Sequence, residues 1–145
     1  MPEIRPARSG DLPAWAAMRH ALWPDGSAAS HLAELEIWFL KPKFHGFMAE
    51  QGGRLVGFAE LYEREFANGC ESQPVAFLEG IWVEESLRRQ GLARALLAAA
   101  EAWCKANGFS ELGSDALVDN TESIQAHAAW GFSEIERTVC FSKKL

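Results

Sequence analysis

Cysteine is scarce and scattered. Cys70, Cys104 and Cys140 are an odd set with no Cys-x-x-Cys. That excludes a disulfide framework and a zinc site, and reads as reduced thiols in a cytoplasmic protein. The four histidines show no metal-ligand spacing, so no metal is expected. No apolar run is long enough to span a membrane. The first residues lack the basic and apolar regions of a signal peptide. Basic residues are in deficit, with 14 Lys and Arg against 20 Asp and Glu, a net charge of −6. Nucleic acid needs a basic footprint, so neither it nor a membrane is an expected partner. There is no Gly-x-Ser-x-Gly and no reactive cysteine context, so no covalent nucleophile is expected. Repeats, linkers and low-complexity segments are also missing. The 145 residues, 1–145, read as one domain with room for a real core.

What is present is unevenly distributed. From Phe109 to Glu136 there are six acids and no Lys or Arg, and from Phe58 to Glu79 five acids and one base. An acidic cleft concentrates cations, so a polyamine-like substrate fits better than an anionic one. The plain alternative is a set of solvated acidic faces.

The chain is organised around residues 74–108. Val75–Val83 is an apolar run broken only by Glu79 and Gly80, and reads as a buried central strand. Leu92–Lys105 reads as a helix whose Leu92, Leu96, Ala99 and Trp103 form an apolar stripe. The join is Arg88-Arg89-Gln90-Gly91-Leu92-Ala93, followed by Arg94. Gly91 and Ala93 let backbone approach a ligand, and a helix N-terminus has free N–H groups and the positive end of its dipole, which bind phosphate. The pattern is neither a Gly-x-Gly-x-x-Gly nor a Gly-Lys-Ser/Thr loop. The bland reading is a basic loop opening an ordinary helix.

Arg88-x-x-Gly91-x-Ala93, after a strand and opening a long helix, resembles the acetyl-CoA pyrophosphate signature of the GNAT superfamily of N-acetyltransferases. Trp130-Gly131-Phe132 stands where that family has an aliphatic-Gly-Phe. Leu22-Trp23-Pro24, Asn68-Gly69-Cys70, Phe77-Leu78-Glu79-Gly80-Ile81, Ser114-Asp115 and Glu134-x-Glu136-Arg137 are similar to the short aminoglycoside 6'-N-acetyltransferases, from about Ile4 to the end. The resemblance implies that acetyl-CoA is held by Arg88, Arg89, Gln90, Gly91, Leu92, Ala93 and Arg94. It also implies backbone contacts from Ile81, Trp82 and Val83 and a contact from Asn120. An N–H among residues 81–83 would stabilise the thioester oxyanion. It further implies a homodimer, with Val139–Lys143 as the strand to add to or swap with a partner sheet.

Elsewhere the patterns place a first strand at Pro2–Pro6, then a helix capped by Ser9, marked by Leu12, Trp15 and Leu22 and ending at Trp23-Pro24. Ser27 or Ser30 caps a second helix, stopped at Lys41-Pro42-Lys43. Phe44–Glu50 and Arg54–Glu63 are strands joined by a Gly52-Gly53 turn. Leu112–Ala116 is a fifth core strand, and Asp119 with Glu122 resembles a capping box for a helix over Thr121–Trp130. Phe132–Arg137 and Val139–Lys143 read as two antiparallel strands. The order resembles the GNAT fold: a mixed α/β, twisted sheet with helices on both faces.

N-acetylation needs a deprotonated amine, a polarised carbonyl and a leaving thiolate. Amines titrate at roughly 8–10, so a carboxylate must take a proton. Glu79 is the first candidate, because a carboxylate inside an apolar strand is costly without a role. The alternative is a structural ion pair. Gly80 beside it suggests a β-bulge. Asp115, at a strand end, is the second, against a turn or cap role. Glu136 is a third, for a second amine. Trp23 is a platform for a sugar ring, against a packed core Trp. Phe66 lies in the lip loop Phe66–Gln73, where the relatives can carry Tyr, so a hydroxyl contact is missing. Many family members place a Tyr acid four residues before the Gly of Gly-Phe. Here that position is His127, and the only tyrosine is Tyr62. His127 could donate to the thiolate, the thiolate could leave unassisted because thiols are fairly acidic, or His127 could be structural. The expectation is direct acetyl transfer from acetyl-CoA to an aminoglycoside 6'-amine. The alternatives are another amine, a polyamine or peptide, or a non-catalytic CoA-binding sensor.

Overall fold

The computed structural model describes residues 2–145. Five strands form one sheet in chain order: β1 (Glu3–Pro6), β2 (Phe44–Gln51), β3 (Arg54–Arg64), β4 (Val75–Val83) and β5 (Leu112–Ser114). The first three joins are antiparallel, and β5 runs parallel to β4. Four helices complete the mixed α/β fold: α1 (Leu12–Leu22), α2 (Ala28–Trp38), α3 (Leu92–Ala106) and α4 (Thr121–Ala129). Gly52 and Gly53, with φ of 59° and 77°, turn β2 into β3 in a backbone that L side chains rarely adopt.

The helices cover both faces because the strands alternate. Met48 and Phe58 point to one face and meet Trp15 of α1 and Leu35 of α2. Phe47, Ala49, Ala59 and Leu61 point to the other and meet α3. The stripe that α3 buries is Leu92, Leu96, Leu97, Ala100 and Cys104, turned from the expected one, so that Ala99 and Trp103 sit at its edge.

Three expected caps or boundaries shift. Residues Ser9–Asp11 form a 3-10 turn, and Asp11 rather than Ser9 is the N-cap of α1. Ser27 caps α2 and Ser30 reciprocates. Asn120, not the Asp119–Glu122 pair, caps α4 by accepting from Ser123 N at 3.1 Å. The fifth core strand stops at Ser114 rather than Ala116.

The largest departure is at the end of the chain. Neither Phe132–Arg137 nor Val139–Lys143 is a strand, and residues 133–145 are exposed throughout. A strand needs an edge to pair with. The chain offers itself only the three-residue β5 there.

Asp11 also anchors β1. Its carboxylate takes two 2.8 Å bonds from the buried Arg5 guanidinium and one of 2.7 Å from Arg8 N, while Arg5 also reaches Glu50 at 2.9 Å. The Arg5 hydrogen bonds hold the Asp11 carboxyl below its ordinary value of 3.8. A depressed pKa contributes stability that is full above the unfolded value and is lost as pH falls through the folded one. The melting temperature should therefore fall between pH 5 and pH 3 more steeply in the native chain than in Asp11→Asn. Parallel curves would remove Asp11 as the acid-sensitive anchor.

Candidate active site

Strand β4 breaks register at one point. Leu61 pairs with Leu78 and Glu60 with Gly80, so Glu79 is an extra residue with no partner across the ladder. The alternation shifts with it. Ala76 and Leu78 pack toward α3 before the break, and Ile81 and Val83 after it. The β-bulge expected from Gly80 is present, and it re-aims the Glu79 carboxylate.

Glu79 opens into a cavity of about 620 Å³ between α1, α2 and the sheet. Its flat walls are Trp23, Trp38, Phe44 and Tyr62. Its ionisable side chains are Glu34, Glu60, Glu79, Arg19, Arg64 and His31. Gly80 is fixed by packing, because an added Cβ would lie 2.5 Å from the Trp23 ring. Trp23 ends α1. Arg19 lies 5.1 Å over its ring, Phe58 meets its edge, and His31 Nε2–H donates to its carbonyl at 3.0 Å. A polar-rimmed aromatic plane of this kind suits the apolar face of a sugar.

The carboxylates differ in their partners. Both oxygens of Glu79 accept from Arg64, each at 2.8 Å, and the Arg64 guanidinium lies 3.6 Å over Phe77. The structural ion pair and a role for Glu79 are therefore not exclusive, since an incoming ammonium meets a carboxylate already holding a cation. Glu60 is 1% exposed. It accepts from Trp15 Nε1 at 3.0 Å and stands 3.5 Å from Arg19 Nε. Burial pushes its carboxyl up to about 7, with Arg19 and the Trp15 bond opposing and the Glu79 charge adding.

On the α3 side the join folds as a ligand loop. Gly91, with φ of 83°, takes the N-cap position, and no side chain caps α3, whereas Ser27 and Asn120 cap α2 and α4. The first N–H groups of α3 are thus left without a side-chain cap, and a Cβ built at Gly91 meets nothing within 4 Å. This fits the phosphates of a nucleotide-like cosubstrate. Arg88 Nε donates to Val83 O at 2.9 Å and Arg94 to Ala129 O at 2.7 Å, so those two hold the loop in shape. Arg89 and Gln90 are exposed at its surface. Pairing between β4 and β5 ends at Leu78 with Ser114. Beyond that, the side of Ile81, Trp82 and Val83 facing away from β3 has no strand against it and can take an extended ligand arm.

The other expected residues scatter. Asp115 is exposed just past β5, Phe66 is exposed at the lip, and Glu136 is exposed in the tail, all outside the cavity lining. Glu136 runs beside Gly69, where a Cβ would stand 3.3 Å from its own. Asn120 is engaged as a cap. His127 faces Ser114 across 2.7 Å. Among the described residues no group of His, Cys, Asp and Glu could hold a metal.

Sequence reasoning missed Glu60, Arg64 and Trp38. The rule that singled out Glu79 applies equally to Glu60, a carboxylate inside the apolar run Val56–Leu61. Arg64 is the lone base among five acids over residues 58–79. Trp38 carries no sequence signal, since only the α2 approach brings it over Tyr62 and Phe44.

Residues 13–132 match the Acetyltransferase (GNAT) family. An aminoglycoside N(6')-acetyltransferase type 1 from Serratia marcescens is 48% identical over 137 residues, which cover 93% of this chain and 94% of that protein. The structure of AAC(6')-Iy in complex with the bisubstrate analogue CoA-S-monomethyl-acetylneamine superimposes with a TM-score of 0.92 at 37% identity, covering 100% of this chain and 99% of that one. AAC(6')-IG, an aminoglycoside antibiotic 6'-N-acetyltransferase from Acinetobacter haemolyticus, gives 0.93 at 38%, covering 99% of each chain. The bulged strand, the open helix N-terminus and these likenesses converge: the chain belongs to the GNAT family of acetyltransferases.

Proposed function

We propose that this protein transfers the acetyl group of acetyl-CoA to the 6'-amino group of aminoglycoside antibiotics, by direct attack within a ternary complex, and so confers resistance to them. The observation that carries this is the bulge at Glu79. It sets a carboxylate in an aromatic-walled, acid-bearing cavity on one face of β4, beside a strand edge that starts at Leu78 and leads toward Gly91. Acetyl-CoA would lie with its phosphates at Arg88–Arg94 and its arm along Ile81–Val83, and Asn120 would flank it. The amine would enter from the cavity and lose its proton to Glu79, directly or through water. Trp23 would carry the sugar ring. Asp115, Phe66 and Glu136 would close around the substrate from the rim, and an N–H of residues 81–83 would meet the oxyanion. Acetylation removes one positive charge from a ligand that acts as a polycation.

A thiol-release assay with acetyl-CoA tests this, using a 6'-amino aminoglycoside and its 6'-hydroxyl counterpart. Turnover with the amine alone is the expected result. Turnover with both would change the regiospecificity. Silence with both would leave another amine or a sensor role.

Gly80→Ala should push the Trp23 indole out of place and raise KM for the aminoglycoside about tenfold, a cost of about 1.4 kcal/mol. KM for acetyl-CoA should stay unchanged. An unaltered aminoglycoside KM would remove Trp23 from the acceptor surface.

The reading extends to a cytoplasmic homodimer. Ile135, Val139, Phe141 and Leu145 are exposed apolar side chains on a tail that pairs with no strand of its own chain. A partner sheet would cover them. No helix among the described residues is long and apolar enough to cross a membrane.

A further inference from the structure

The mechanism above leaves the departing thiolate without a proton, and one polar pair at the β4–β5 fork is otherwise unexplained. Ser114 ends β5, opposite Leu78 in the parallel register. Leu78 packs on the α3 side of the sheet, so the donor face, not the acceptor cavity, is where Ser114 meets α4. Its Oγ lies 2.7 Å from His127 Nε2. The other ring nitrogen, Nδ1, lies 2.7 Å from the carbonyl of Ser123, which can only accept, so Nδ1 keeps its hydrogen in either charge state. Nε2 is therefore the nitrogen that gains and loses a proton, and Ser114 is its partner. When Nε2 is protonated it donates to Ser114 Oγ, and the hydroxyl hydrogen is free to turn outward. Leu78 O, at 3.4 Å, marks one direction it can take. Trp130 and Phe132 hold the imidazole, with centroids 5.4 and 5.1 Å away.

We propose that Ser114 is a catalytic residue that protonates the coenzyme A sulfur as it leaves, and that His127 is the positioning residue that refills it. This rests on the acetyl-transfer reading. The sulfur must lie between the Gly91 loop and Glu79, along the edge of β4 that begins at Leu78, which is the fork where Ser114 stands. As the tetrahedral intermediate collapses, the carbon–sulfur bond breaks and its electron pair stays on sulfur. Sulfur takes the Ser114 hydroxyl proton, Ser114 Oγ takes the Nε2 proton of charged His127, and His127 ends neutral. The proton lost by the amine goes to Glu79 or water, and His127 recovers its own from solvent. The charged neighbours of the pair are Asp115 beside Ser114, Glu122 in the first turn of α4, and Arg94, which binds Ala129 O in its last turn.

Single-turnover acetyl transfer to the aminoglycoside tests this with Ser114→Ala, Ser114→Thr and His127→Gln. The alanine should lower the rate about 10²-fold, the size of a lost general acid, with both KM values within about twofold. Ser114→Thr keeps the hydroxyl and should recover most of the rate. His127→Gln, which keeps the Ser114 hydroxyl but removes its proton source, should lower the rate about tenfold with both KM values and the melting temperature unchanged. The same variants are also read on slow acetyl-CoA hydrolysis, which expels the same thiolate. If hydrolysis responds to them while no aminoglycoside is acetylated, the acceptor assignment fails and the pair stands. A Ser114→Ala rate within threefold of native in both reactions, or a loss matched by raised KM and a lower melting temperature, would overturn the proposal.

Discussion

Glu79→Gln should lower kcat for aminoglycoside acetylation by about two to three orders of magnitude and leave KM for acetyl-CoA within about twofold. Loss of a positioned general base costs 10²–10⁴-fold. The amide keeps the size of the side chain and removes its charge and basicity. In the proposed arrangement the bulge stands between the two substrates, which is why the effects should separate. Glu79 points into the cavity on the α1–α2 side, while the loop at Gly91 opens on the side of α3. The variant also frees Arg64 from its two bonds to Glu79. An uncompensated guanidinium in the cavity should repel the polycation, so aminoglycoside KM should rise as well. Equal losses in kcat and in acetyl-CoA affinity would mean that Glu79 supports the fold of β4 rather than the acceptor chemistry.

Trp15→Ala should lower stability by about 3–5 kcal/mol, the range for a large aromatic truncated in a core. Trp15 is fully buried, lies 5.5 Å from Phe44 in a stacked pair, and holds Glu60 through its indole N–H. Gly46 has no side chain because Trp15 fills the space, a Cβ there falling 2.4 Å from the ring. The loss would leave a void and a buried carboxyl without its donor. Against a total stability of about 5–15 kcal/mol, a sizeable unfolded fraction should appear at 37 °C. Urea denaturation reads this directly. Trp15→Phe should cost less in volume and still remove the bond to Glu60. A loss below about 1 kcal/mol for Trp15→Ala would show that α1 is not seated by this side chain.

Much of this was legible from residue order. The apolar run with one carboxylate and one glycine inside it identified both the bulge and Glu79, because an acid in a buried strand demands an explanation. Gly91 ahead of an uninterrupted helix identified the open N-terminus. What was not legible depends on distance across the fold. Glu60 carries the same signal as Glu79, but only the packing of α1 shows that Trp15 and Arg19 meet it. Trp38 reaches the cavity because α2 lies across the sheet. Caps were misplaced by a residue or two, since Asp11 and Asn120 compete with equally suitable neighbours. The two last strands were read from β-type residues alone, and such residues cannot pair without an edge beside them.

The bulge also constrains how this protein can change over generations. Its geometry comes from one residue inserted in β4, not from the identity of any side chain. A substitution can alter Glu79 or Gly80 and leave the frame intact. Removing the bulge requires deleting a whole codon; with Glu79 gone, Gly80 would follow Leu78 in unbroken register, and Ile81 and Val83 would keep their face. The Glu79 carboxylate can therefore be swapped by a single base change, but its position is reached or left only by an in-frame insertion or deletion. Drift under antibiotic selection should accumulate in the cavity walls at Trp23, Trp38 and Tyr62, with the backbone step at Glu79 inherited unaltered.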